Sequence, residues 1–328
     1  MNILVTGAAG FLGCRVIKAL LAEPSSVRVA ARIVAADLVP CPIDDQQLDS
    51  RVGSISDPSF IDAIVEDDTD VVYHLAAVLS GQSEAEFDVG MRTNVDATRA
   101  LLEACARLPK PPRFVFSSSI AVFGGPLPAV VPDDMALRPQ SSYGTEKAIG
   151  ELMVGDYSRR QWIDGVSCRL PTVAIRPGRP NSALSSFVSG IVREPLAGID
   201  CVCPVPLDTR MWITSPDVVT RNLIHAGRMP TADLDGRRSF NLPGLTATPA
   251  QMLDSLERLA GLAVRARVRL AVDEHTTRVV RTWPGTFDVS RALSLGFSTD
   301  GGIDGLIRAF MIEAGYLTAP RVPSARPT

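Results

Sequence analysis

Histidine is scarce in this chain. Only His74, His225 and His275 occur in 328 residues. Cysteine is nearly as sparse: Cys14, Cys41, Cys105, Cys168, Cys201 and Cys203 lie scattered along the sequence. A structural zinc site takes clustered Cys and His ligands, and the Cys201-x-Cys203 pair has no second pair to complete one, so no metal is expected. The same scatter suits reduced thiols better than a disulfide framework. No run of about 18 apolar residues occurs, so a membrane span is not expected. The net charge of −3 supplies no basic surface for nucleic acid or an anionic membrane. The opening MNILVTGAAG lacks the basic start and long apolar core of a secretory signal, and a cytoplasmic location is expected.

What is present is alternation. Hydrophobic residues make up 46% and charged residues 21%, enough for a sizeable globular core. Strand signals at 2–6, 70–77, 113–118 and 166–173 are separated by helical periodicity at 11–22, 91–107 and 143–160. Continuous apolar strands interleaved with helices predict an α/β fold, a doubly wound parallel sheet of the Rossmann type, over residues 1–174. Prolines then crowd in and the periodicity loosens. Residues 175–318 read as a smaller α+β substrate-binding portion, with helices near 184–194, 215–228 and 248–260, and some of its strands can return to the main sheet. The arginines of 258–270 alternate with apolar residues, which suits a half-buried strand. The Pro-rich 319–328 reads as a disordered tail.

Two local patterns carry chemistry. The first is TGAAGFLG, with Gly7, Gly10 and Gly13 directly after a strand and opening a helix. Gly7 permits the sharp turn, Gly10 lets backbone approach a pyrophosphate, and Gly13 permits close helix–strand packing. Phe11 and Leu12 belong to the same cofactor-binding stretch. Asp37 closes the second strand, where a carboxylate accepts both ribose hydroxyls of NAD and repels the 2′-phosphate of NADP. The predicted cofactor is therefore NAD. Arg32, earlier on that strand, is not read as a 2′-phosphate binder. The second pattern is Tyr143-x-x-x-Lys147, one helical turn apart. An ammonium beside a phenol favours the phenolate, which makes the pair suited to moving a proton at a substrate hydroxyl. His74 reads as a packing residue, and Trp212, beside Arg210, as the tryptophan best placed to shape a pocket.

These patterns occur in order with HLAA at 74–77, TNVDATRALLEA, FVFSSSIAVFGG, TRMWITSPDVV and DVSRALSLGF. Together they resemble the extended short-chain dehydrogenase/reductases, over nearly the whole chain. The resemblance implies Tyr143 as acid/base, Lys147 as holder of the nicotinamide ribose, and Ser119 as partner of the reacting oxygen, with Ser118 the alternative. It implies Asn94 in a proton-carrying water chain. It places Ser54, Ile55, Leu75, Ala76, Ala77, Asn94, Ser117, Pro171 and Val173 along the cofactor. The sequence departs from the family pattern at Gly53-Ser54, where a carboxylate is usual and Asp57 could substitute, and at Arg210-Met211-Trp212. A third lies in RLPTVAIRPG, where an Asn is usual before the Gly-Pro turn, and the last two departures argue against a nucleotide-sugar substrate.

The longer segments AAVLSGQSEAEFDVGM, SSFVSGIVREPLAG and WPGTFD resemble a branch that acts on small sugar acids. That implies NAD-dependent oxidation of the hydroxyl beside a carboxylate, giving the 2-oxo acid. Arg210 and Arg179 are the candidates for the carboxylate, and Ser80 and Asn181 for substrate hydroxyls. The competing readings are a nucleotide-sugar epimerase or dehydratase with tightly held NAD, and a uronate dehydrogenase. A homodimer through paired helices 91–107 and 141–160 is also expected.

Overall fold

The strands in chain order are β1 (Asn2–Thr6), β2 (Arg32–Asp37), β3 (Leu48–Val52), β4 (Thr69–His74), β5 (Arg113–Ser119), β6 (Asp164–Leu170), β7 (Thr172–Val173), β8 (Cys201–Cys203), β9 (Met211–Thr214), β10 (Ser239–Asn241), β11 (Leu245–Ala247) and β12 (Val268–Leu270). The protein is seen in a computed structural model that describes residues 1–23, 30, 32–178, 184–232, 234 and 236–318. Among the described residues, seven strands form one parallel sheet in the order β10-β6-β5-β4-β1-β2-β3. The order reverses at β1, with β4 on one side and β2 on the other. A crevice opens there, beyond the carboxyl ends of the strands.

Side-chain alternation along the strands builds both faces. Ile3 and Val5 of β1 pack with Val16, Ile17 and Leu20 of helix α1 (Phe11–Leu21). Leu4 points the other way and packs with Leu101, Phe114 and Phe116. The helices on that second face are α2 (Pro58–Ile64), α3 (Ser80–Ala85), α4 (Phe87–Gly90), α5 (Ala97–Ala106) and α6 (Ser142–Arg159). The predicted single helix at 91–107 is refined: Met91–Asp96 is a π-helical segment leading into α5. Such segments are frequent at functional sites.

Most of the remaining chain forms a second core, apart from the helix Pro216–Ala226, whose Val219, Leu223 and Ala226 join Val16 and Ile17 in the core of the main sheet. Helices α7 (Ser186–Leu196), α8 (Pro216–Ala226) and α9 (Pro249–Ala260) fall close to the predicted spans. Val188, Ile191, Met252, Leu256, Ile307 and Phe310 pack together there, under the small sheets β11-β9-β7 and β12-β8. Strand β10 crosses back to extend the main sheet beside β6, while β7 pairs with β9 of the smaller portion. The predicted strand at 258–270 is overturned over most of its length. Residues up to Ala260 finish α9, Leu262–Arg265 is a further helical turn, and only Val268–Leu270 is strand. The capping box of Thr248 and Gln251 and the apolar face of α9 start a helix whose periodicity outlasts the alternating arginines. Among the described residues no helix is long and apolar enough to cross a membrane. The tail at 319–328 lies outside the described residues.

Candidate active site

The dinucleotide end is built from backbone. Gly7 takes a positive φ of 70°, and a Cβ there would stand 2.7 Å from the Ala76 amide nitrogen. A Cβ on Gly13 would stand 2.1 Å from the Gly7 carbonyl oxygen. Both glycines are thus required by close approach. Leu75 N–H donates to the Thr6 carbonyl, and Ala76 N–H donates to the Thr6 hydroxyl, which backs the HLAA turn onto the glycine turn. Helix α1 begins at Gly10 with no capping side chain and no acidic residue in its first turn, so its first amides and positive dipole end are free for an anion. Asp37 stands at the end of β2. Its Oδ2 accepts from Ala9 N–H at 2.9 Å and its Oδ1 from Leu38 N–H at 2.6 Å. These bonds hold the carboxylate beside the turn and leave lone pairs for ribose hydroxyls. The residues present fit a dinucleotide.

The neighbouring expectations divide. Phe11 and Leu12 are half-buried, and Arg15 lies over the Phe11 ring. Ile55 is buried and Ser54 half-buried. Asp57 is occupied as the cap of α2, accepting from the Ser59 amide and hydroxyl. Arg32 is held by Asp49 and Glu66. Ser117 is buried and donates to the His74 carbonyl. Pro171 is buried, and Val173 is half-buried on β7. Ser80 is half-buried in the first turn of α3.

Tyr143 and Lys147 come from the first turns of α6, whose start is fixed by the Ser141 hydroxyl accepting from Gly144 N–H. The Ser119 side chain faces the Tyr143 phenol closely enough to lower its pKa. Ser119 also accepts from Ala121 N–H at 3.2 Å, which anchors it at the end of β5. Ser118 points to the opposite face, donating to Glu151 Oε1 at 2.5 Å within a buried Glu151–Arg169 ion pair. The geometry therefore groups Ser119, and not Ser118, with the tyrosine.

Lys147 is 2% exposed, its ammonium 4.8 Å from the Phe116 ring centre and 5.7 Å from that of Tyr143. Burial pushes the Tyr143 phenol up to about 12, and the negative charge of Glu146 adds to this; the Ser119 hydrogen bond pulls the other way. Burial pulls the Lys147 ammonium down to about 8, against Glu146, which holds it up. Within the protein alone, burial and the Glu146 charge outweigh the contact with Ser119.

Asn94 is held by protein groups. Its Oδ1 accepts from Val78 N–H at 2.8 Å. Its Nδ2 donates to the Val78 carbonyl, to Ser83 and, at 2.6 Å, to Glu146 Oε2. The side chain is committed to protein groups, and its carbonyl accepts from Thr98. His74 is buried between Thr6 and Thr98, with the ring nitrogens 2.7 and 2.8 Å from their hydroxyls.

Two residues that line a cleft near the start of α6 were not singled out from the sequence. A pocket of about 310 Å³ is lined by Thr209, Arg210, Arg281, Trp283 and Gly285. A second, of about 530 Å³, shares Arg281, Trp283 and Gly285 and reaches Gln140, three residues before Tyr143. Bonds between Val131 and the backbone of Thr286 and Asp288 stitch this loop to the 124–135 segment. Arg281 was invisible as a candidate because only the WPGTFD segment beside it carried a signal. Trp212 is not a pocket residue: it is 5% exposed, donates to the Leu242 carbonyl and packs on Phe287, while Trp283 lines both pockets. The aromatic of a buried strand packs inward, leaving the loop tryptophan to face the cleft. Arg179 and Asn181 lie outside the described residues.

A glycine-rich turn at a sheet crossover, with a Ser–Tyr–Lys group beside it, defines the class, and comparison with known proteins agrees. The chain belongs to the NAD dependent epimerase/dehydratase family, whose pattern matches residues 3–236. It is an NAD-dependent oxidoreductase, and its cofactor is NAD. It is 47% identical over 324 residues to a D-erythronate dehydrogenase of Cupriavidus necator, covering 96% of this chain and 99% of that one. It is 42% identical over 312 residues to a D-erythronate dehydrogenase of Haemophilus influenzae, covering 95% and 99%. Among solved structures, a nucleoside-diphosphate-sugar epimerase from Agrobacterium tumefaciens superposes with a TM-score of 0.91 at 38% identity, covering 95% of this chain and 94% of that one.

Proposed function

We propose that this protein oxidises the 2-hydroxyl of a small sugar acid, D-erythronate or a similar aldonate, to the 2-oxo acid. When bound, NAD would supply the hydride acceptor for the carbinol carbon, and the protein would take the proton of the substrate hydroxyl. Asp37 and the amides at the start of α1 hold the adenosine end. Tyr143 is the general base at the substrate oxygen, and Ser119 donates to that oxygen as it becomes a carbonyl. Lys147 holds the ribose and favours the phenolate. Arg210 and Arg281 receive the carboxylate: both guanidiniums border one cleft, and neither has a hydrogen-bond acceptor among the described residues.

The grouping that carries this reading is Ser119 beside the Tyr143 phenol, with buried Lys147 one turn along α6. The two sugar-acid dehydrogenases above support the substrate class. The test is to mix the protein with free NAD and D-erythronate and follow NADH absorbance. Stoichiometric NADH is expected. Turnover of a nucleotide sugar without net NADH, or a preference for a uronate over the four-carbon acid, would replace this assignment.

A further inference from the structure

Glu146 stands between Tyr143 and Lys147 in the sequence and is fully buried. Its Oε2 accepts from Asn94 at 2.6 Å and from Ser83 at 3.0 Å. Its Oε1 has no hydrogen-bond partner among the described residues, and a Cβ on Gly90 would stand 2.3 Å from it. The chain thus spends a glycine, a serine and an asparagine to seat one carboxylate inside the wall of the cleft. A buried carboxylate with one oxygen left unbonded is costly, and such a group calls for an explanation.

We propose that Glu146 is a positioning residue whose buried negative charge balances Lys147 and sets the pH range in which the Tyr143–Lys147 pair works. The inference rests on the reading of Tyr143 as base. It assigns a role to a residue next to the pair and not to the pair itself. An anion on the neighbouring residue, buried in the same stretch of α6, favours the ammonium over the amine, and the phenol over the phenolate. Removing it lowers the pKa of both groups, so both edges of a pH–rate profile move toward acid.

The other groups around the pair do not duplicate this charge. From β5 come Phe116 and Ser119, both uncharged. From β4 comes His74, which burial keeps neutral. From α3 come Ser83 and Glu84, the latter accepting from the Ser142 amide at the solvent-exposed start of α6. From α4 and the π segment come Gly90 and Asn94. Glu151, one turn beyond Lys147, is paired with Arg169 of β6.

The chain has three lysines, Lys18, Lys110 and Lys147, so isotopic labelling of lysine resolves each by NMR, with Lys18→Arg and Lys110→Arg assigning the signals. In cofactor-free protein, Glu146→Gln is expected to move the Lys147 midpoint down from about 8, by about one unit or more. Glu146→Asp should bring it back toward the wild-type value. With NAD and substrate, the kcat/KM profile of Glu146→Gln should move to lower pH at both edges. An unmoved Lys147 midpoint in Glu146→Gln overturns the proposal. If Glu146→Gln does not fold, the carboxyl signal of Glu146 in labelled wild-type protein decides: it must be ionised throughout the Lys147 titration, and a carboxyl protonated at neutral pH overturns the proposal. Retained turnover in Tyr143→Phe would remove the base assignment while leaving the Lys147 titration to stand by itself.

Discussion

Ser118 and Ser119 are neighbours on β5, yet one donates into a buried ion pair and the other meets the Tyr143 hydroxyl. Strand alternation sends adjacent side chains to opposite faces, so the two have separable consequences. Ser119→Ala is expected to cut turnover about 10²-fold with little change in unfolding. Ser118→Ala should instead cost about 1–3 kcal/mol of stability, since it removes a charge-assisted bond to buried Glu151. Steady-state kinetics and chemical denaturation of both variants check the split. Equal kinetic damage from both would show that the faces are not independent.

Removing the phenol oxygen isolates the base. Tyr143→Phe should retain NAD binding, measured by fluorescence quenching, and lose about 10²-fold or more in turnover. In the wild type the oxidation rate should rise with pH from the acid side, because burial holds the phenol protonated and the base form must be generated. A pH-independent rate on that side argues against Tyr143 as the base.

The carboxylate subsite has a selective signature. Arg281→Ala should raise the Michaelis constant for the acid by more than about tenfold, as expected when a charged contact is lost, and leave that for NAD unchanged. Arg210→Ala should act in the same direction. An unchanged constant for the acid in both variants refutes the assignment of this cleft.

Buried His74 makes stability depend on pH. Burial, with the nearby Lys147 charge, lowers its folded pKa to about 3, while in the unfolded chain it titrates near ~6.5. Between these values the unfolded state binds the extra proton, so stability falls as pH drops through that window. The slope from this one group is at most about 1.4 kcal/mol per pH unit. Denaturant titrations at several pH values should show His74→Gln with a shallower acid loss than wild type. A steeper loss would mean that other groups dominate.

The glycine turn can be tested by crowding. Gly13→Ala places a Cβ against the Gly7 carbonyl and should displace α1 from the turn. Weaker NAD binding, by tenfold or more, is expected in calorimetry, together with a cost of about 1–3 kcal/mol from overpacking. Unaltered affinity would show that α1 tolerates the shift without moving its phosphate-facing amides.

Much of this architecture could be read from local pattern. Strand–helix alternation, the spacing of Gly7, Gly10 and Gly13, Asp37 at a strand end and the four-residue step from Tyr143 to Lys147 are short-range features. They act through backbone geometry and periodicity, which neighbouring residues impose on one another. The arginines of 258–270 misled because alternation over a few residues fits either a strand or a helix end, and capping by Thr248 and Gln251 settled it.

Other properties are long-range and came only with the packed chain. Which serine faces Tyr143 depends on how β5 sits against α6. That Asn94 clamps the turn at Val78 follows from Val78, Ser83 and Glu146 converging on it. Arg281 reached the cleft because its loop is stitched to residues some 150 positions earlier in the chain. The balance of charge around Lys147 is likewise a matter of burial: side-chain order names the groups, but only the excluded water makes one neighbouring carboxylate outweigh everything farther away.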